Sequence, residues 1–354
     1  MNLKTFLFLL FLIPFQVLKA LTPLQCGDYL LTEGPKRSLN EINEIKIGSY
    51  NVLNLEQSPG QYKVIDGVKQ FVPERLDKPE WQTKLIANAI KEKDLDFLVM
   101  QEVEGIAALE KFNLDYLDNK YLALCYKGND GRGIDIGFLI KKDMPFYVQY
   151  ESFKNIKWNN PLKDGKEELL FSRDLPVLKV YFNEANPPQG PPNMILLGTH
   201  FKSQRPTAGD PTSETLRKAQ AQKAAEIINH LKTQHGQNAP IMMMGDFNAD
   251  INSGQFSNLK RQGFMEDVFD VKNLSPEERI THTYHPRDGA TQNNQLDAIL
   301  INPSLKNAVL EAKVYRYKDA NGVEKPLPKT YEERSLNPSD HFMIYMTLQR
   351  NKLQ

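Results

Sequence analysis

The feature that most constrains this chain is a repeated junction, in which a short apolar run meets a polar side chain able to bind a cation, move a proton or hold an anion. Asn51 follows IGSY, Glu102 follows LVMQ, His200 follows ILLGT, Asp246 and Asn248 follow IMMMG, Asp297 follows QL, and Asp340 with His341 precede FMIYM. Apolar, β-branched runs of this length read as buried strands. One acid at a strand end is ordinarily a loop residue, and GDFNAD alone reads as a turn, because Gly, Asp and Asn favour turns. Together the junctions offer four acids, two histidines and two asparagines. Such an oxygen-rich set suits a hard cation, magnesium or manganese, with calcium the alternative.

The rest of the chain supplies the frame. Ile45–Leu53, Leu95–Gln101, Tyr121–Tyr126, Ile134–Lys141, Phe146–Phe153, Leu175–Phe182, Met194–Thr199, Ile241–Met244, Leu296–Ile301 and Phe342–Leu348 read as strands. Glu80–Lys93, Glu104–Leu117 and Thr212–Thr233 carry apolar residues at helical spacing. The polar stretch Lys154–Glu168 reads as a protruding hairpin or loop. Mixed elements without internal repeats predict one α/β or α+β domain. His282 and His285 are three apart, but Thr283 and Pro286 place them in an extended loop rather than as a helical ligand pair. His230 and His235 read as surface residues.

Composition removes several alternatives. Lys plus Arg and Asp plus Glu both number 44, which excludes a basic-tail nucleic-acid binder. Two cysteines exclude a disulfide-dense scaffold. Residues 1–20, with Lys4 ahead of an apolar run from Phe6 to Leu18 and a small residue at Ala20, have the form of a secretory signal peptide. That run is short for a membrane anchor, which needs about 18–20 residues. Residues 21–354 would then be the mature chain, slightly acidic because Lys4 and Lys19 leave with the leader. In an oxidising compartment, a Cys26–Cys125 disulfide and two free buried thiols are both open.

At this point the strings GSYNVLNL, MQEVE, GTHFKSQR, MGDFNAD, QLDAILIN and PSDHFMI, in this order over about residues 45–348, resemble the endonuclease/exonuclease/phosphatase superfamily, the DNase I-like fold. The resemblance implies an α+β, four-layer sandwich: two mainly antiparallel sheets packed face to face, flanked by helices, with the site at one edge. It implies Glu102 as main ligand of a divalent cation with Asn51 beside it, and Asp340 completing or supporting that site. Asp246 would orient or deprotonate the attacking water, and Asn248 would bond the scissile phosphate. His341, oriented by Asp297, would contact the phosphate or act as base. His200 would protonate the leaving oxygen, with Asp135 as its carboxylate partner.

Fold does not choose a substrate. Export points to a secreted or periplasmic, divalent-metal-dependent, DNase I-like endonuclease of low sequence specificity, with nucleic acid, DNA first, as substrate and Lys202 and Arg205 along its backbone. Those two residues and Arg217 also fit a solvated basic face. The expected state is a monomer without stable membrane insertion. The alternative substrate is another phosphodiester or phosphomonoester, as in a sphingomyelinase. Trp158 is the candidate docking aromatic for that reading, but its polar neighbours resemble a groove-contacting loop more than a lipid wedge. A non-catalytic binding module of the same fold is the second alternative.

Overall fold

A computed structural model describes residues 21–353 except 22, 31–34, 59, 66, 73–74, 184–187, 287–289 and 320. Residues 1–20, expected from the sequence to be a signal peptide, lie outside the described residues. In chain order the strands are β1 (Leu24–Leu30), β2 (Glu44–Leu55), β3 (Gln57–Ser58), β4 (Gln61–Ile65), β5 (Val68–Val72), β6 (Arg75–Leu76), β7 (Phe97–Val103), β8 (Tyr121–Cys125), β9 (Asp135–Lys141) and β10 (Tyr147–Ser152). They continue with β11 (Lys157–Asn160), β12 (Lys166–Leu169), β13 (Pro176–Tyr181), β14 (Met194–His200), β15 (Ile241–Asp246), β16 (Glu266–Asp267), β17 (His282–Tyr284), β18 (Gln292–Asn294), β19 (Asp297–Ile301), β20 (Val309–Val314) and β21 (Ile344–Gln349). Three helices matter for the layers: α1 (Glu80–Lys93), α2 (Gly105–Tyr116) and α3 (Glu214–His235).

A seven-stranded sheet runs β1-β10-β13-β14-β15-β19-β16, and a six-stranded sheet runs β20-β21-β2-β7-β9-β8. Within them only β14–β15 and β2–β7 pair in parallel. Strand alternation builds the layers, since successive side chains face opposite ways. In β15, Met242 and Met244 enter the cluster between the sheets, with Ile47, Val99, Phe138, Leu196 and Met346. Ile241 and Met243 face the other way, against Ala224, Ile227, Ile228 and Leu231 of α3. On the six-stranded sheet, Leu98 and Met100 meet Ile86 and Ile90 of α1 and Phe112 of α2. The result is the expected α+β, four-layer DNase I-like sandwich. The N-terminus of α3 is held by Asp210, whose carboxylate accepts from the N–H groups of Glu214 and Thr215 at 2.9 Å.

The polar stretch after Lys154 is a hairpin, β11–β12. Its Trp158 is half-buried against the α3-side cluster, so it is not a projecting wedge. Elements that sequence reading missed include the edge strands β1 and β20 and the small ribbons β4–β5 and β17–β18. No helix among the described residues is long and apolar enough to cross a membrane.

Of the two alternatives left open for the cysteines, the free thiols are found: Cys26 and Cys125 are both free. The reason is strand orientation. Cys26 packs against the cluster between the sheets, whereas Cys125 belongs to the cluster on the outer, helix-covered face of the six-stranded sheet. Burial pushes both thiols up. Unfolded without reductant, the protein should titrate two thiols, and in the folded state half-buried Cys26 should react before Cys125. Finding no free thiol in the unreduced, unfolded chain would contradict this packing.

Asp174, at the entrance to β13, accepts from the N–H groups of Phe153 at 3.0 Å and Leu175 at 2.7 Å, but its Oδ2 is buried without a hydrogen-bond partner among the described residues. Burial raises its pKa to about 6 from 3.8. The folded state therefore holds a proton that the unfolded chain releases, so stability falls as pH rises through that window. Asp174→Asn should raise the thermal midpoint at pH 8 more than at pH 4. An equal effect at both would show that the carboxylate is not destabilising when charged.

Candidate active site

The register of three strands gathers the first half of the site. His200 pairs with Asp246 across the parallel ladder, and Asp246 pairs with Asp297 across the antiparallel one, so all three stand at one edge of the seven-stranded sheet. Gly245 makes the parallel approach close, since a side chain there would collide with the Thr199 carbonyl oxygen. The six-stranded sheet brings the second half. Asn51 pairs with Gln101, which places Glu102 beside it, and His341 enters just before β21.

Two side-chain hydrogen bonds cross between the sheets. Asn51 Nδ2 donates to Asp246 Oδ2 at 3.0 Å, and His341 Nδ1 bonds Asp297 Oδ2 at 2.8 Å. Ser339 adds a brace, donating from Oγ to the Asn51 carbonyl at 2.8 Å and accepting from His341 N–H at 3.1 Å. Asp246 is the centre of the cluster. The backbone N–H of Asn248 donates to its Oδ1 at 2.7 Å, and the Nε2 atoms of His200 and His341 stand 3.6 and 3.8 Å from its Oδ2.

Burial and charge split the two histidines. Burial drives His200 well below its ordinary pKa, aided by Arg173, so its imidazole is neutral. Burial acts against the His341 cation too, but Asp297 and Asp246 outweigh it and hold His341 well above the ordinary value. Burial lifts Asp246 to about 7, against the opposing pull of His341. His200 Nδ1 is buried without a partner among the described residues. An orphaned N–H costs more than an orphaned lone pair, so the proton of His200 belongs on Nε2.

A cavity of about 760 Å³ opens over this cluster. Of the expected site residues, Glu102, His200, Lys202, Arg205, Asp246, Asn248, Asp340 and His341 line it, and Asn51 and Asp297 support it from behind. Asn248 uses its amide to donate to the Phe201 carbonyl at 3.0 Å and Asp246 Oδ2 at 3.1 Å. Lys202 ties the following turn, donating from Nζ to the Arg205 carbonyl at 3.2 Å.

Two expectations are corrected. Asp135 does not pair with His200: its Oδ1 accepts from Gly128 N–H at 2.7 Å, so it closes the glycine-rich turn ahead of its own strand. Arg217 is neither a solvated base nor a cavity residue. It is buried, donating to Gln255 at 2.9 Å and to the Lys202 carbonyl at 3.0 Å.

The structure also adds residues. His282 lies on β17 with Nε2 3.8 Å from Asp340 Oδ2 and its ring 4.7 Å from that of His341. Asp340 is held well below the carboxylate range: burial opposes the charge, but His282, His341 and Arg334 outweigh it. Arg173 is buried in the cavity wall, its Nε 3.2 Å from an Asp130 carboxylate that also pairs with Arg132. The signal for His282 was present as HTY, an alternating strand-like triplet, but nothing local shows which strand it faces.

The donor set fits a hard divalent cation. Glu102 has no Lys or Arg ion pair among the described residues, and the second oxygen of Asp340, Oδ1, is buried without a hydrogen-bond partner. Glu102 stands in the left-handed region at φ 63°, as do Leu53 and Asn54 at φ 52° and 59°. Such conformations persist at non-glycine residues only where neighbours enforce them. Asn54 N–H donates to Glu102 Oε2 at 3.2 Å, and buried Lys78 donates from Nζ to the Leu53 carbonyl at 2.7 Å. Burial lowers Lys78 to about 8, and it makes no ion pair among the described residues. Its role is therefore to pin the loop that presents Glu102.

The endonuclease/exonuclease/phosphatase family model matches residues 48–341. The chain is similar in fold to a Bacteroides vulgatus endonuclease/exonuclease/phosphatase, with TM-score 0.53 and 18% identity over 86% of this chain and 98% of that one. It is similar to D. rerio TDP2 solved with a single-strand DNA product, with TM-score 0.52 and 15% identity over 86% and 98%. A Bacteroides thetaiotaomicron mannosyl-6-phosphatase gives TM-score 0.52 and 15% identity over 86% and 99%. At these identities the likenesses establish the fold. No curated protein matches the chain.

Removing the loop pin should loosen the cation site. Lys78→Met should weaken Mn²⁺ binding about 10-fold, as loss of outer support for metal ligands does, read by electron paramagnetic resonance titration. If Lys78 acts instead as a repelling charge, the same substitution tightens binding.

Proposed function

The chain belongs to the endonuclease/exonuclease/phosphatase family, and from that premise we propose that it is an exported, divalent-metal-dependent phosphodiester hydrolase acting on nucleic acid. We place this activity in one domain spanning residues 21–354. The observation that carries the reading is the buried Asp246, flanked by one neutral and one cationic histidine, at the floor of a cavity with a basic wall. Arg132, Arg173, Lys202 and Arg205 all line that cavity, with Asp130 paired to the first two, so these cations suit a chain of phosphates. A mature chain that is slightly acidic confines this attraction to the groove. Affinity should therefore be modest, which suits turnover on a nonspecific substrate.

Asp246 receives hydrogen bonds from Asn51 and Asn248, which fix the carboxylate that would orient the attacking water and take its proton. His341, kept cationic by Asp297, would meet the phosphoryl oxygens as charge develops on them. His200, neutral with its proton on Nε2, would donate a hydrogen bond to the leaving oxygen. Glu102, Asn51 and Asp340 would hold magnesium or manganese, which when bound neutralises phosphoryl charge.

A second reading, hydrolysis of a sugar phosphate or a sphingomyelin-type phosphodiester, shares every one of these groups. The half-buried packing of Trp158 and the basic wall favour nucleic acid. The purified protein should cleave a single-stranded oligodeoxynucleotide with Mg²⁺ or Mn²⁺ and stop with EDTA. Asp246→Ala and His341→Ala should each lower turnover by about 10²-fold or more with circular dichroism unchanged. No cleavage with any divalent cation, together with release of phosphate from mannose 6-phosphate or of phosphocholine from sphingomyelin, would replace the nuclease reading.

A further inference from the structure

The β17–β18 ribbon is fastened to the reactive centre on both sides. Thr281 Oγ1 accepts from the N–H groups of Leu296 and Asp297 at 3.0 and 2.9 Å. Phe342 N–H donates to the Thr281 carbonyl at 2.8 Å, and Thr283 N–H donates to the Asp340 carbonyl at 3.1 Å. His282 faces Asp340 and His341. Side chains two apart on a strand share a face, about 7 Å along it. Tyr284 is therefore carried on the same face as His282, one step outward.

Tyr284 lines the cavity and is 50% exposed, although a free surface tyrosine has no packing reason to stand there. Across the ladder Gln292 opposes Tyr284 and Asn294 opposes His282, and both amides also line the cavity. The same cavity is lined by Arg132, Arg173, Lys202 and Arg205. The cleft thus joins cations that suit phosphate to an aromatic face with two amides.

We propose that Tyr284, with Gln292 and Asn294 opposite, is a platform for the nucleobase next to the scissile phosphate, and that the substrate is single-stranded. A base must leave a duplex stack before a tyrosine ring can cover it, and stacking tolerates any base while amides can bond base edges. The inference rests on the nuclease reading and narrows it. Tyr284 is a substrate-positioning residue and takes no part in bond making.

The test compares wild type, Tyr284→Ala and Tyr284→Phe on three probes: a single-stranded oligodeoxynucleotide, the same sequence as duplex, and a strand of the same length built of abasic deoxyribose units. Tyr284→Ala should raise KM on the single strand about 10-fold with kcat little changed, the size expected for losing one stacked base. Tyr284→Phe should keep the wild-type KM. On the abasic strand wild type should already show the raised KM, and Tyr284→Ala should add nothing. The platform is overturned if Tyr284→Ala leaves KM on the single strand unchanged, or raises it equally on the abasic strand. It is also overturned if wild type cleaves duplex with the lower KM. If wild type cleaves none of the three probes, the nuclease reading fails and the platform falls with it.

Discussion

One hydrogen bond, from His341 just ahead of β21 of the six-stranded sheet to Asp297 in the seven-stranded sheet, closes the sandwich where its chemistry lies. The apolar layer between the sheets sets their separation, and at this edge the strand ends come close enough for side chains to meet. Asn51 to Asp246 is the second such crossing. Both need one particular register of the strands, because a slip of one place would turn every side chain to the opposite face. The register that buries Met242 and Met244 is therefore the same register that delivers Asp246.

The crossing also sets the charges. Asp297 and Asp246 face His341 and keep it cationic, while Arg173 and Arg132 stand nearer His200 and reinforce the effect of burial that keeps it neutral. Two imidazoles beside one carboxylate thus acquire different work from their surroundings. The chain's zero net charge conceals this arrangement. Glu102, Asp246 and Asp340 share one cavity with Arg132, Arg173, Lys202 and Arg205, so the balance of the whole chain describes neither group.

Much of this was legible in the sequence, because the residues that matter stand directly beside apolar runs. Glu102, His200, Asp246 and Asp297 stand at or next to strand ends, Asn51 lies within β2, Asp340 and His341 precede β21, and the family strings place them in order. What the strings cannot carry is partnership across the fold. Asp135 looked like a companion for His200 but spends its carboxylate on the Gly128 turn. Arg217 looked available but is buried as a brace. His282 and Tyr284 sit on a three-residue strand that only acquires meaning through backbone bonds to residues 340–342. The cysteines differ in a similar way, since adjacency of strands does not reveal which face each thiol takes. Lys78 carries no local signal in the sequence, and only the left-handed loop it bonds shows what it holds.

The most direct test of the account is the state of the two imidazoles in the metal-free protein, read from ¹⁵N resonances at mildly alkaline pH. His341 should carry protons on both nitrogens and His200 on Nε2 alone, and Asp297→Asn should return His341 toward ordinary histidine behaviour. A neutral His341 in the wild-type protein at that pH, or one unaffected by Asp297→Asn, would contradict the claim that the crossing between the sheets organises the site.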